Sequence, residues 1–536
     1  MLNIGVRFDA LEEPISKARS RSTAAMGELF LPLYRLLSGG GDPRLTVDPA
    51  SGVNAYGCRP FPCPDTLSFA SSTATSISRR AYDRAAEARQ RLMRSAIAVG
   101  IDAAFDARIE AMRDELKAYL GLSRTTVDVV FSPSGTDSQL HALFLARVLL
   151  GPELTTVIVA ADQTGSGTPF TARGQHFSAA TANGAGVRKG EPIAGLAHAG
   201  AIVALALLDA AGIFRPQAES DAQVLSAVDK SIANGSNVVL QIMDSSKLGW
   251  RAPSDECLDE ISMRWPGQVQ IVVDACQMRL GRARLQKYLD RGYLVIVTGS
   301  KFFTGPPFSG ALLVPAPLSK ALDGVTEVAP GLCEYARRSD WPKRWQNLRS
   351  RFPLRTNLGQ WLRWEAALEE IRAYYNAPDA FRLSALTTFG DGVQRIMASS
   401  PSLRPLQRFE GKSPDDDEFC QPTIFPFTIQ HDARPLSLDE CGKIHRALSQ
   451  DSETAGSASE QGCAPEIAAR VCLIGQPVAL GHGEGALRIS ASARLVSETW
   501  SSNQDAARAN LQRELGHVGT IVSKIEWLLG RINDLP

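Results

Sequence analysis

The chain has 536 residues, 44% of them hydrophobic and 21% charged, enough for a large core and more than one domain. Lys plus Arg and Asp plus Glu both number 57, so net charge is zero and the basic footprint of a nucleic-acid-binding protein is absent. The 9 cysteines show no paired zinc-site spacing, and no leader-like stretch or bilayer-length apolar run is present, so a metal-free, non-membrane, cytoplasmic protein is expected.

Residues 81–120 predict one long helix, with Leu92, Ile97, Ile101, Phe105, Ile109, Met112, Leu116 and Leu120 on one face and Gly121 as its stop. Strand and helix then alternate. Strands are expected at 127–131, 155–160, 237–243, 271–273 and 294–297, with a helix at 140–149. This order predicts an α/β fold: a large domain with a mostly parallel sheet sandwiched by helices, and ligands beyond the carboxyl ends of the strands. After residue 325 the pattern changes. Residues 341–364 hold four tryptophans and several arginines, 412–418 read as an exposed loop, and 452–462 as a mobile one. Strands at 423–429 and 487–490 and a helix at 505–529 follow. The expected division is an N-terminal arm (1–65), a large domain (66–325) and a smaller C-terminal α+β domain (326–536). The Arg-rich stretch 337–355 reads as a solvated, stacked surface, with a site for a second carboxylate as its alternative.

Three polar segments interrupt the apolar strands. The turn Ser134-Gly135-Thr136-Asp137 opens a helix, where free N–H groups and the helix dipole suit a phosphate; an ordinary N-cap turn is the alternative. Asp274 ends the run Ile271-Val272-Val273, where a buried carboxylate needs a partner. A protonated pyridine nitrogen would serve, and so would a helix N-cap role or a pairing with Arg279. Lys301 follows Val295-Ile296-Val297-Thr298-Gly299-Ser300 and precedes Phe302-Phe303. Desolvation there would lower its pKa and make it a nucleophile, though a strand-end surface lysine is also compatible.

Taken in that order, the segments resemble the fold type I pyridoxal phosphate enzymes, within them the class V aminotransferase and cysteine desulfurase group. The resemblance rests on Ser134-Gly135-Thr136, Asp274-Ala275-Cys276-Gln277, Thr298-Gly299-Ser300-Lys301 and Gly305-Pro306, with Ser71 to Thr75 upstream and Leu487-Arg488-Ile489-Ser490 downstream. It implies an aspartate aminotransferase-like large domain and pyridoxal 5'-phosphate held by Lys301 as a Schiff base. Asp274 would protonate the ring nitrogen and Gln277 would touch the ring oxygen. Ser134, Gly135, Thr136, Thr298 and Ser300 would hold the phosphate, and Arg488 would grip the carboxylate of an amino-acid substrate. A homodimer with its active site at the interface is also implied, the first 60 or so residues and the 341–364 segment covering the partner.

The chain departs from the group in several places. No aromatic ring stands where one usually stacks on the cofactor; Phe170 and His176 are the nearby candidates. Asp244 or Ser246 is expected beside the ring, where the group often has asparagine. An insertion near 165–215 is expected to shape the cleft mouth. Among reactions, amino transfer ranks first. A lyase follows, of elimination or desulfurase type with Cys463 as a possible thiol, then a decarboxylase or racemase, and last a non-enzymatic scaffold.

Overall fold

The computed structural model describes residues 24–122, 127–197, 200–409, 414–450 and 465–535. The expected mobile loop 452–462 and Cys463 lie outside them. Strand β1 (Leu67–Phe69) precedes helices α1 (Arg79–Val99) and α2 (Ile101–Tyr119). Then come β2 (Val127–Ser132), α3 (Gly135–Leu150), β3 (Leu154–Val159), β4 (Ile202–Leu205), β5 (Asn237–Met243), β6 (Val269–Asp274), β7 (Leu294–Thr298) and β8 (Gly310–Pro315). Helix α4 (Leu358–Tyr375) leads to β9 (Leu403–Pro405), β10 (Ile424–His431), β11 (Arg434–Pro435), β12 (Cys472–Ala479), β13 (Gly485–Ser490) and the closing helix α5 (Gln504–Leu529).

The larger sheet has seven strands in the order β2-β8-β7-β6-β5-β3-β4. Neighbours from β7 to β4 are parallel, and β8 runs antiparallel to both β7 and β2. Strand β8 is therefore the one reversed strand, and the carboxyl ends of the other six share an edge. Alternation explains why these strands are apolar throughout. Val129, Val273, Val295 and Leu313 face one core, while Val130, Val272, Ile296 and Leu312 face the other. Helices α1, α2 and α4 cover the first face, and α3 covers the second. Each fully buried side chain of this kind contributes about 1.5–3 kcal/mol. The smaller sheet runs β1-β12-β13-β10-β11, with β9 also on β10, and is antiparallel except where β1 meets β12. Among the described residues no helix is long and apolar enough to cross a membrane.

Three expectations are corrected. The single helix over 81–120 is two helices, because Gly100 adopts φ 83° and ends one while opening the next. The turn there rotates Ile97 out to 81% exposure, away from the face read from the sequence. The exposed loop at 412–418 contains the buried Asp416, which accepts from Arg251 Nη2 at 2.7 Å and Arg284 Nε at 2.6 Å. The Arg/Trp stretch is a solvated surface only in part: Arg344, Arg351 and Arg355 are exposed, but the tryptophans are not. Trp341, Trp345, Trp361 and Trp364 are all at most 1% exposed, and Arg337 and Arg349 are buried too. Trp341 stacks on Phe352 with centroids 4.8 Å apart and lies against Phe144 of α3. These rings fill the core of the large sheet and cannot cover a partner.

The two sheets are joined by a buried arginine. Arg279 follows β6, is 2% exposed, and donates to the carbonyls of Thr423 (3.2 Å) and Ala491 (3.1 Å) and to Ser71 Oγ (2.9 Å). Burial and nearby Arg488 push its pKa down to about 9, which leaves it charged at neutral pH. Arg279→Met would remove three hydrogen bonds from a charged donor, each contributing about 1.5–3 kcal/mol, while Thr423 O keeps the Ala491 amide and Ala491 O keeps the Ser71 hydroxyl. Part of that loss is offset by removing a buried charge, so the expected net destabilisation is roughly 2–4 kcal/mol by urea unfolding. The exposed Arg188, paired with Glu191, is the control; Arg188→Met should stay within about 0.5 kcal/mol of wild type.

Candidate active site

Because six strands end on one edge, the polar groups that follow them converge. A cleft of about 330 Å³ opens there. Its walls include Ser134, Gly135 and Thr136 after β2, Ser245 and Lys247 after β5, Asp274, Cys276 and Gln277 after β6, and Thr298, Ser300 and Lys301 after β7. Arg488 of β13 completes it from the smaller sheet. Ser134, Gly135, Thr136, Asp274, Gln277, Thr298, Ser300, Lys301 and Arg488 therefore line one cavity. Among the described residues no group of three or more His, Cys, Asp or Glu is placed to hold a metal ion.

Lys301 sits in a tight loop. Thr304 N donates to Lys301 O and Gly305 N to Gly299 O, both at 2.8 Å. The loop lies flat on α4 because Gly299 and Gly305 carry no side chain; a Cβ on either would come within 2.5 and 2.7 Å of Ala367 Cβ. The Lys301 ammonium has no hydrogen-bond partner among the described residues. Burial pushes its pKa below the ordinary lysine range; Cys276 and Asp274 oppose that, and Arg488 and Arg279 add to it. Asp274 accepts from the Cys276 amide at 3.1 Å, and Arg279 is committed elsewhere, so the Asp274–Arg279 alternative is not realised.

At the β2–α3 turn, Ser134 is the N-cap: its Oγ accepts from Asp137 N at 3.2 Å and bonds the Asp137 carboxylate. The amides of Gly135 and Thr136 occupy the first helical positions, where no intrahelical acceptor exists. Thr298 Oγ1 donates to Cys276 O at 2.7 Å, whereas no hydrogen bond engages the Ser300 hydroxyl among the described residues. Gln277 is buried and donates to Ser72 O at 3.0 Å.

Arg488 is 2% exposed and meets no carboxylate among the described residues. Its Nη1 donates to Lys247 O (3.1 Å), and its Nη2 to Gln476 O (2.7 Å) and Thr73 Oγ1 (3.1 Å). Its Nε is buried without a partner. Burial lowers its pKa to about 9. Gly475, opposite Arg488 in the β12–β13 ladder, gives the guanidinium room; a Cβ there would lie 2.8 Å from Arg488 Nε. A buried guanidinium that meets no carboxylate and faces a cleft suits an anion.

Several sequence candidates face elsewhere. Asp244 is buried beneath Tyr288, whose hydroxyl donates to it at 3.0 Å, and Ser246 Oγ accepts from Trp250 N at 3.0 Å. Ser245 and Lys247 line the cleft instead, as the two-residue alternation continuing from β5 would have indicated. His176 is bonded to Tyr335, and neither it nor Phe170 lines the cleft; the rings that do are Tyr56 and Phe308. The segment expected to be an insertion adds the edge strand β4, while Gln163 to Ser166 and Thr168 form part of the cleft wall. Arg44 and Tyr56 were missed because no local pattern marks them.

No protein-family model matches the chain, and no curated protein matches it. Solved structures similar to it include a mutant of C-DES with glycine covalently linked to its PLP cofactor, at 14% identity over 84% of this chain and 97% of that one, TM-score 0.46. Another is a NifS-like protein from Rickettsia africae ESF-5, at 12% identity over 88% and 100%, TM-score 0.47. A third is a phospholyase from Arthrobacter in complex with phosphoethanolamine, at 15% identity over 77% and 81%, TM-score 0.42. At these values the likenesses stand beside the strand order and cleft geometry without extending them.

Lys247 gives the cleft a pH response. Its Nζ donates to Thr164 O at 2.6 Å, and burial, then Arg488 and Lys301, lower its pKa to about 8. Below that pH it adds positive charge beside Arg488; above it the charge is lost. Affinity for a simple carboxylate should therefore fall as pH rises through about 8. Lys247→Met should remove that limb, and an unchanged pH profile in this variant would assign the titration elsewhere.

Proposed function

We propose that this chain is a pyridoxal phosphate-dependent enzyme acting on an amino acid, with amino transfer as the first reading. The carrying observation is that Lys301, Asp274 and the Ser134–Thr136 turn surround one cleft whose opposite wall holds the uncompensated Arg488. The donor set fits the cofactor. Free amides at a helix N-terminus and the unengaged Ser300 hydroxyl suit the phosphate, Asp274 a protonated ring nitrogen, and Gln277 the ring oxygen. Lys301 would hold the cofactor through its side-chain nitrogen, which burial makes easier to deprotonate to the nucleophilic amine. When bound, pyridoxal phosphate supplies an electron sink for carbanion chemistry next to an amine.

The chain's own residues do the rest. Arg488 binds the substrate carboxylate and fixes which bonds face Lys301. Lys301, with its lowered pKa, is able to take and return a proton at the α-carbon near neutral pH. Asp274 would serve as the counter-charge to the protonated ring nitrogen. A homodimer in the cytoplasm, divided into a large domain over 66–325 and a small one over 326–536, belongs to the same reading; a monomer in sedimentation with full activity would remove the dimer.

Elimination is the second reading, because it uses the same residues with a leaving group on the β-carbon. Desulfurase chemistry also needs a reactive thiol. Cys276, the cleft-lining cysteine among the described residues, is unsuited: burial, then Asp274, hold its pKa well above the ordinary thiol value. That role falls to Cys463 if it is filled at all.

Purified protein supplied with pyridoxal phosphate should gain a visible absorbance band that Lys301→Ala abolishes. A wild-type protein that gains none would sink the cofactor assignment. Against a panel of amino acids, conversion of the cofactor to its amine form marks transfer. Release of pyruvate and ammonia marks elimination, and sulfide formation lost in Cys463→Ser marks a desulfurase. Arg488→Gln should raise KM for the carboxylate substrate roughly 30-fold or more.

A further inference from the structure

We propose that Arg44, carried by the N-terminal arm, is a phosphate ligand at the β2–α3 turn; this rests on the cofactor reading above. The phosphate of that cofactor is a dianion, and the turn offers it amides, hydroxyls and a helix end equivalent to about half a unit charge. That is incomplete compensation for two negative charges. Arg44 lies where the missing cation would act. It lines the cleft beside Ser134, Gly135 and Thr136, and its Nη1 is 3.5 Å from Thr136 Oγ1.

The guanidinium is oriented for that task. Asp42 takes Nε (2.9 Å to Oδ1) and Nη2 (2.6 Å to Oδ2), which leaves Nη1 directed at the turn. Asp42 is 3% exposed and is not part of the cleft wall, so it stands behind the arginine. The Arg44 guanidinium carbon also lies 5.1 Å from the Phe308 ring and 5.6 Å from the Phe177 ring, which restricts its swing.

The arm itself is fixed. Buried Arg363 of α4 donates to Leu37 O (3.0 Å), Gly39 O (2.5 Å) and Gly40 O (3.1 Å), and to Phe308 O at 2.7 Å. Asn357 adds a bond to Gly40 O at 3.0 Å. One side chain thus ties the arm to the loop after Lys301, and Arg44 follows a few residues later. A second acid, Asp137, is buried behind the turn and bonded to Ser134. Burial, then Asp42, raise the Asp137 pKa to about 7, so Asp42 is the charge that would repel a dianion at the turn if Arg44 were removed.

Two roles must be separated: direct ligation, and neutralisation of Asp42. Pyridoxal phosphate and pyridoxal, which lacks the phosphate, are titrated separately into the cofactor-free full-length chain and followed by absorbance. Arg44→Gln should weaken pyridoxal phosphate about 10–100-fold and leave pyridoxal unchanged. Arg44→Lys, which keeps the charge and loses the fork, should fall between. The double variant Asp42→Asn/Arg44→Gln should remain weak. Recovery in the double variant would overturn ligation in favour of neutralisation. An unchanged Arg44→Gln, or equal weakening of both compounds, would overturn the proposal outright. A wild-type protein that binds neither compound would instead sink the cofactor reading on which it rests.

Discussion

The structure depends on Arg279. This buried guanidinium leaves the end of β6, five residues after Asp274, and donates into the smaller sheet and the loop after β1. Its acceptors are carbonyls and a hydroxyl, so the attachment has fixed direction and length. The Gln277 bond to Ser72 O and the Ser490–Ser72 hydroxyl pair lie in the same seam. Through that seam, the strand that carries Asp274 is registered against the strand that carries Arg488. Neither half of the cleft has a defined geometry without the other.

A second arginine performs the corresponding task on the opposite side. Arg363 binds the arm at Leu37, Gly39 and Gly40 and the lysine loop at Phe308. Both staples are cations bonded to backbone oxygen and not to carboxylates. Arg488 follows the same pattern, with Lys247 O and Gln476 O as acceptors. Carbonyls hold a guanidinium in place without cancelling its charge. Arg488 is the one of the three that lines the cleft, where a buried charge is poorly screened.

Much of the large sheet could be read from the chain. Strands buried on both faces must be apolar at every position, so a polar residue at a strand end stands out, and Asp274 and Lys301 were visible for that reason, whereas Arg488 was picked out by the family resemblance. Features that depend on distant partners were not. Asp416 sits in an acidic run that resembles a solvated loop, yet Arg251 and Arg284, far away in sequence, pair with it in the interior. Trp341 and Trp345 alternate with arginines as an exposed patch would, yet both rings are buried, and so are Arg337 and Arg349, which find carbonyls and an acid inside. Ile97 was placed on the wrong face because one glycine φ reset the helix phase. Asp244 and Ser246 were preferred to Ser245 and Lys247 because of residue type, although strand alternation pointed the other way.

Local pattern alone therefore determined the α/β order, the edge on which ligands bind, and the residues at the strand ends, since each follows from the chain's own periodicity and from the cost of burying charge. Tertiary structure decided what stands opposite them. Arg44 from the arm, Thr73 from the loop after β1, Lys247 after β5 and Gln476 on β12 enter the site from unrelated positions. Their placement depends on long-range hydrogen bonds made by Arg279, Arg363 and Arg488, and no local spacing encodes a bond between residues hundreds of positions apart.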